Sequence, residues 1–328
     1  MGLLMLMVSA GMTFICSWFM TEGVKYYGSS EIKTYSDCGK KIYGSLGQVV
    51  VFAIFYVNQY CTCVSYVIFF LSILHEHFED VEPYYFVISL IAVMVTLVLC
   101  LRSMRDISFL QSIALVSQVM ALVTMMGYSL NYIQDPPFEK SYTSFDFNGL
   151  PRFFGVCTFA FEGNALSVDI YRSMENKRTD FNMSLATGLS ITTFIFQVMG
   201  ILLFNAYAQY TRPVVLNHLP VHDNLADTIK FLYLFGIMVG FLLQIMPIFL
   251  HFERRVNQNG WSHPTIYIYS FRAIVTMLAC VAGFYAGNFA TFLNLQGAVL
   301  GVLISYILPS LFFLSMLNDM SAKRDTRQ

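Results

Sequence analysis

Long apolar runs separated by short polar segments dominate the chain. Nine runs reach about 20 residues, the length that an α-helix needs to cross the hydrocarbon core of a bilayer. The runs occupy residues 2–21, 47–74, 84–101, 107–130, 151–174, 182–208, 226–251, 265–286 and 289–317. The second run exceeds the bilayer thickness, which predicts a tilted or projecting helix. The pattern therefore predicts an all-α integral membrane protein with about nine transmembrane helices.

The amino-acid composition indicates that the chain has no soluble domain. Of its 328 residues, 56% are hydrophobic and only 12% are charged, against roughly 25% charged in soluble domains. The net charge of −1 provides no basic field for nucleic acid. The first run has no basic segment before it, so we interpret it as a spanning helix rather than a signal peptide. We expect one transmembrane domain over residues 1–328, with the lipid bilayer as its surroundings.

The distribution of Lys and Arg predicts an orientation. Fourteen of these residues follow the first, third, fifth and seventh runs or lie in the C-terminal tail, whereas four lie at the alternate ends. Basic residues accumulate in the cytoplasmic loops of membrane proteins. We therefore expect the N-terminus outside and the C-terminus inside.

The fifth run contains polar residues near the expected midplane of the membrane. Glu162, Gly163 and Asn164 follow one another there, although an ionisable group at this depth costs about 2.5–3.5 kcal/mol on insertion scales. Glycine permits a break in the helix, and broken helices expose backbone groups to substrate in many secondary transporters. Two alternatives stay open, a substrate-binding site and a structural carboxylate that caps the broken backbone.

A further polar face is predicted in the second run. Gln59, Cys63 and Tyr66 are spaced i, i+4 and i+7 and so share one side of a helix. The alternative is hydrogen bonding between helices, worth about 0.6 kcal/mol per contact. Arg272 lies two turns into its run, and we expect it to snorkel rather than to pair with Glu162. The full set predicted to line a central, substrate-binding cavity is Phe161, Glu162, Gly163, Asn164, Gln59, Cys63, Tyr66 and Gln244.

The sequence predicts neither a metal site nor catalytic chemistry. Cys61 and Cys63 form a C-x-C pair, but residues i and i+2 of a helix face different directions, so we expect them to pack in the core. Residues 75–80 read H-E-H-F-E-D and are expected to form a solvated acidic outer turn. There is no nucleophile elbow, phosphate loop or zinc motif. We expect a protein that is not an enzyme and uses no cofactor.

Short motifs in order along nearly the whole chain carry a resemblance to a known family. Residues 159–163 read F-A-F-E-G and are followed by Met174, as in that family's sixth helix. The other motifs lie at residues 34–44, 59–66 and 101–108, at Gln244, Pro247 and Glu253, and at Arg272, Gly297 and Pro309. Together they resemble the amino acid/auxin permease superfamily, most closely its proton-coupled amino acid transporter branch.

The resemblance implies an eleven-helix fold with a five-plus-five inverted repeat, as in the leucine transporter architecture. The first run here corresponds to the family's second helix, so we expect a truncated version that lacks the first and last helices. Ala165, Asp169 and Asn205 stand where the family pattern has other residues. These departures fall close to the expected substrate site.

Two functions are therefore expected as alternatives. The first is secondary transport of small amino acids, coupled to protons or sodium ions. The second is a transporter-derived structural subunit that no longer transports and in which other membrane subunits fill the place of the first helix. The plasma, vacuolar or lysosomal, and mitochondrial inner membranes all stay open as the location.

Overall fold

A computed structural model describes the chain as a series of helices. It describes residues 2–28, 31–32, 34–78, 80–101, 104–134, 147, 149–174, 180–220, 223–260 and 262–325. Throughout these ranges every regular element is helical and there is no β-strand. The all-α prediction is confirmed.

Eleven α-helices follow one another along the described chain. Their bounds are α1 Gly2–Tyr27, α2 Tyr35–His77, α3 Pro83–Cys100, α4 Met104–Gln134, α5 Leu150–Ala160, α6 Ser167–Ser173, α7 Asp180–Tyr207, α8 Asn224–Gln258, α9 Pro264–Ala286, α10 Phe289–Gln296 and α11 Leu308–Asp325. Two π-helical segments, Gly297–Gly301 and Leu303–Ile307, join α10 to α11. The last apolar run is thus one helical rod with widened turns.

Eight of the helical spans in the described ranges are long and apolar enough to cross a membrane. The predicted number was about nine, and the difference comes from the fifth run. Residues 151–174 form two short helices, α5 and α6, because the backbone leaves the helix between them. The polar residues in this run therefore interrupt the helix where the sequence suggested a break.

The start of α2 differs from the sequence prediction. Residues 35–42 are helical, although the second apolar run begins only at residue 47, and the helix turns sharply at Tyr43 and Gly44 before it continues to His77. Gly44 has φ of 66°, a left-handed conformation that glycine adopts without a steric penalty. The end of α2 also differs from the prediction. His75, Glu76 and His77 form its last turn, although residues 75–80 were expected to form a solvated outer turn.

The helices group into two compact units. The first comprises residues 1–58, 143–201 and 293–328, and the second comprises residues 59–142 and 202–292. Each unit is assembled from segments far apart in sequence.

Close backbone contacts organise the first unit. A side chain on Gly297 would overlap the carbonyl oxygen of Gly155, and a Cβ on Gly155 would lie 2.5 Å from the carbonyl oxygen of Asn294. Small residues allow membrane helices to approach in this way. The hydroxyl of Tyr35 donates to the carbonyl of Ile304 at 2.5 Å, which ties the start of α2 to the second π segment.

An apolar core organises the second unit. Cys63, Met94, Phe241, Ile245 and Cys280 belong to a cluster of buried residues contributed by α2, α3, α8 and α9. Within this unit α3 packs on α9 and α4 packs on α8. The unit is therefore held mainly by apolar side chains.

Arg272 is a buried charge of that unit. Its guanidinium donates to Glu253 at 2.5 and 2.8 Å and to the carbonyl of Val98 at 2.9 Å, and the residue is 2% exposed. The expectation that Arg272 snorkels is wrong, since the charge is neutralised inside the unit by Glu253. Burial of an ion pair is stable only with such additional hydrogen bonds.

Candidate functional site

The break between α5 and α6 lies in the first unit. Helix α5 ends at Ala160, and a 3₁₀ turn over Asn164–Leu166 precedes α6. The N–H of Glu162 donates to the carbonyl of Phe159 at 3.2 Å, and that of Leu166 donates to Gly163 at 3.0 Å. The N–H groups of Gly163 and Asn164 make no hydrogen bond to any described residue. Two backbone N–H donors at the break are therefore unpaired among the described residues.

Glu162 is anchored by an amide relay. Its Oε1 accepts a hydrogen bond from Nδ2 of Asn58. Nε2 of Gln296 donates to both the side-chain and the backbone oxygen of Asn58, each at 3.3 Å. Asn58 and Gln296 are almost completely buried. The carboxylate is thus positioned by two amides that stand on α2 and α10.

Asn164 connects the break to two further helices. Its Nδ2 donates to the carbonyl of Ser305 at 2.6 Å, and its Oδ1 accepts from the hydroxyl of Ser17. The hydroxyl of Ser167 donates to Ser17 at 3.2 Å. Asn164 is fully buried, so its amide replaces hydrogen bonds that the broken helix cannot make internally. The break is consequently fixed to α1 and to the second π segment.

A cavity of about 400 Å³ borders the break within the first unit. Glu162, Gly163 and Thr13 contribute to its wall, and Phe181 and Leu189 form part of its apolar side. The hydroxyl of Thr13 is buried and has no hydrogen-bond partner in the part of the chain that the structure describes. The cavity therefore combines one carboxylate, an unused hydroxyl, the unused backbone N–H of the exposed Gly163 and an apolar wall.

The residues predicted to line one cavity fall in both units. Phe161, Glu162, Gly163 and Asn164 lie together at the break of the first unit, where Phe161 is buried and packs on Phe196 at a ring distance of 5.8 Å.

The other predicted residues belong to the second unit. Cys63 is fully buried in its apolar core, with its Sγ 3.9 Å from the carbonyl of Phe241, and Tyr66 packs against the same core. Gln59 is buried and Gln244 is half-buried. A substrate-binding role for these four residues stays a prediction.

Sequence reasoning missed several members of the polar network. Asn58 and Gln296 were not singled out, although each is a polar amide inside an apolar run, a pattern that usually marks a functional or structural contact. Ser17, Ser167 and Thr13 gave a weaker signal, because Ser and Thr are common in transmembrane helices. The π segments beside Gln296 gave no signal, yet such widened turns occur often at functional sites.

Eight membrane-length helices in the described ranges, together with a polar break in an otherwise apolar span, define a multi-pass integral membrane protein. Residues 1–327 match the family model described as "Transmembrane amino acid transporter protein". The chain belongs to this family, which is a family of transporters rather than enzymes.

Curated relatives agree with the family assignment. The chain is 25% identical to the amino acid transporter ANT1 of Arabidopsis thaliana over 88% of this chain and 71% of that protein. It is 25% identical to the amino acid transporter AVT3A of the same plant, over 99% of this chain and 77% of that protein. It is also 26% identical to vacuolar amino acid transporter 3 of Saccharomyces cerevisiae, over 84% of this chain but only 42% of that protein.

Proposed function

We propose that this chain carries neutral amino acids across a membrane by secondary transport and binds them at the break between α5 and α6. The observation that carries the proposal is the combination at the break of an anchored carboxylate with the unused backbone N–H of the exposed Gly163. An α-amino acid presents an ammonium group and a carboxylate, which are the complementary charges. Family membership supports the substrate class.

The chemistry of the break assigns a role to each group. Glu162 accepts hydrogen bonds from the substrate ammonium, and the N–H of the exposed Gly163 donates to the substrate carboxylate, as charged partners form the stronger hydrogen bonds. The apolar wall receives the side chain. Because no Lys, Arg or His borders the cavity in the described part of the chain, we propose that the side chain is uncharged. Small side chains are the first to test.

The coupling ion is proposed to act at the same carboxylate. A protonated Glu162 becomes a hydrogen-bond donor and loses the charge that holds the ammonium. Loading and release of a proton there would therefore change the affinity for the substrate. A sodium ion held by Glu162 and neighbouring carbonyl oxygens is the alternative form of coupling.

Uptake into liposomes tests the proposed function. We expect saturable uptake of neutral amino acids that accelerates when a proton or sodium gradient is imposed, and that is lost in Glu162→Ala. Glu22→Gln, which changes a carboxylate near the end of α1 that pairs with Lys25, is the matched control and should transport normally. Absence of gradient-driven uptake of every amino acid in the panel would contradict the proposal and favour a structural role.

We also propose a leucine-transporter-like arrangement with the N-terminus outside and the C-terminus inside. The excess of basic residues near one set of helix ends supports this orientation. Cysteines placed one at a time at positions 209 and 320 should react with a membrane-impermeant thiol reagent from opposite sides. Labelling of both from the same side would refute the orientation.

A further inference from the structure

Two adjoining cavities lie within the second unit, at the end of α2 and the segment between α7 and α8. The first encloses about 360 Å³ and is bordered by the carboxylate side chain of Glu76 and by the aromatic side chains of Phe86 and Phe284. A carboxylate beside aromatic faces is a surrounding that favours an ammonium group, through charge pairing and cation–π attraction.

The second cavity has the opposite preference. It encloses about 240 Å³ and is bordered by Arg212 and Asn288. The oxygen of the Asn288 side chain accepts from the N–H of Thr291 at 3.0 Å, so its NH₂ group remains a donor. A guanidinium with an amide donor beside it suits a carboxylate ligand. Ser72, Asn217 and Gly287 border both cavities, which makes them neighbours.

An ion pair between Arg212 and Glu76 joins the charged groups of the two cavities. It uses only Nη1 of Arg212 and Oε1 of Glu76. Among the described residues, the Nε and Nη2 donors of Arg212 and the Oε2 acceptor of Glu76 make no hydrogen bond. The Arg212 side chain is 53% exposed and the Glu76 side chain is 24% exposed, and an ion pair with a solvent-exposed partner contributes little net stability. The pair is therefore able to open in favour of a ligand that offers both charges.

The backbone that carries Arg212 is held in place independently of that ion pair. Its N–H donates to Nε2 of His218 at 2.8 Å, and the amide of Asn217 donates to the hydroxyl of Ser72 at 3.3 Å. The ring of His218 stacks on Tyr207 with centroids 3.8 Å apart. The guanidinium can change partners while its backbone stays fixed, which is the preorganisation that a binding site needs.

We propose that these two cavities form a second amino acid binding site, in which the ligand ammonium pairs with Glu76 and the ligand carboxylate pairs with Arg212. The ligand replaces one exposed ion pair by two ion pairs of its own. The proposal rests on the proposed function for the class of ligand, but it uses no residue of the break. The site recognises the groups that all α-amino acids share, so leucine is a suitable probe.

Three probes separate the two halves of the site. Leucine carries both charges, leucine methyl ester carries only the ammonium, and N-acetyl-leucine carries only the carboxylate. Binding is measured by calorimetry on the purified full chain in lipid nanodiscs, in a Glu162→Gln background that disables the site at the break. We expect leucine to bind this protein at one remaining site.

Substitution of each charged residue should then change probe preference in opposite directions. Arg212→Gln should weaken the binding of leucine by about tenfold or more, the equivalent of one charged hydrogen bond. The affinity for leucine methyl ester should stay unchanged. Glu76→Gln should weaken the binding of leucine and of its methyl ester but leave the affinity for N-acetyl-leucine unchanged. Lys41→Gln, which removes the exposed ion pair with Glu31 in the first unit, is the matched control and should change nothing.

The outcomes separate this site from the site at the break. Equal weakening of all three probes would show a merely structural ion pair, and unchanged binding, or no leucine binding that depends on Arg212, would also overturn the proposal. If uptake depends on Glu162 while these variants bind as the parent does, only the second site is wrong. If binding depends on Arg212 but no gradient drives uptake, only the proposed transport is wrong.

Discussion

The charge of Arg272 in the second unit and the backbone donors at the break in the first unit are satisfied to opposite degrees. In the second unit the guanidinium of Arg272 donates three hydrogen bonds, two to Glu253 and one to the carbonyl of Val98. In the first unit the N–H groups of Gly163 and Asn164 and the hydroxyl of Thr13 have no partner among the described residues. Saturated groups stabilise a fold, whereas unsaturated groups beside a cavity are available to a ligand. The difference favours a structural role for Arg272 and supports the proposed binding role of the break.

The largest expected effect on stability comes from removing the charge of Arg272, which is hydrogen-bonded in the fold. Arg272→Met should lower the free energy of unfolding by about 3 kcal/mol, the lower end of the range for a broken buried ion pair, because it leaves the partly buried Glu253 carboxylate without its partner. Thermal unfolding of the detergent-purified protein measures this. Arg255→Met, at an exposed position of α8, should shift stability by only about 0.5 kcal/mol. Equal effects from both variants would show that burial of the pair contributes little.

A smaller loss is expected at the glycine contact of the first unit. Gly297→Ala places a methyl group against the Gly155 carbonyl, and forced overpacking of this kind costs about 1–3 kcal/mol. Gly200→Ala on α7 meets no atom within 4 Å and should be neutral or slightly stabilising, since alanine favours helix. The two melting temperatures should therefore move apart. A normal melting temperature for Gly297→Ala would show that α5 and the π segment are not in firm contact.

The polar network at the break should respond more weakly in stability than in transport. Asn164→Ala removes the partner of Ser17 and of the Ser305 carbonyl, at a cost of about 1–2 kcal/mol, and it should reduce uptake strongly because it frees the broken backbone. Asn182→Ala, near the start of α7, is the control. Retained uptake with reduced stability would leave Asn164 a structural residue only.

The smallest expected effect is a pH dependence in the second unit. Burial, assisted by the charge of Arg212, lowers the pKa of His218 from 6.5 to about 4. The unfolded chain thus binds more protons than the folded chain between about pH 4 and 6.5, so this contribution to stability is complete above pH 6.5 and is lost as the pH falls to about 4. His218→Gln should flatten the fall in melting temperature across this range, whereas the exposed His263→Gln should not. Parallel curves for the parent and His218→Gln would contradict the shift.

Sequence reasoning was successful where the physical cause is local. The apolar runs predicted the membrane helices, and Gly163 beside Glu162 predicted the break, because both depend on neighbouring residues. The partners of Glu162 were not predicted, since Asn58 and Gln296 lie 104 and 134 positions away in the sequence. The pairing of Arg272 with Glu253 was not predicted either, because Arg272 was expected to snorkel. Such pairs are determined by which helices pack together, and the packing is not encoded in the periodicity of one run.

Substrate protection at the break tests the central claim most directly. Gly163 is exposed and a Cβ there meets no atom within 4 Å, so Gly163→Cys, in a background with Cys100→Ser, should fold and react with a thiol reagent in proteoliposomes. We expect the amino acids that are taken up to slow this reaction in a saturable manner, while Asn259→Cys, at the exposed position directly after α8, reacts unchanged. Saturable uptake in the same preparation, with labelling of Gly163→Cys unaffected by any transported amino acid, would contradict a substrate site at the break.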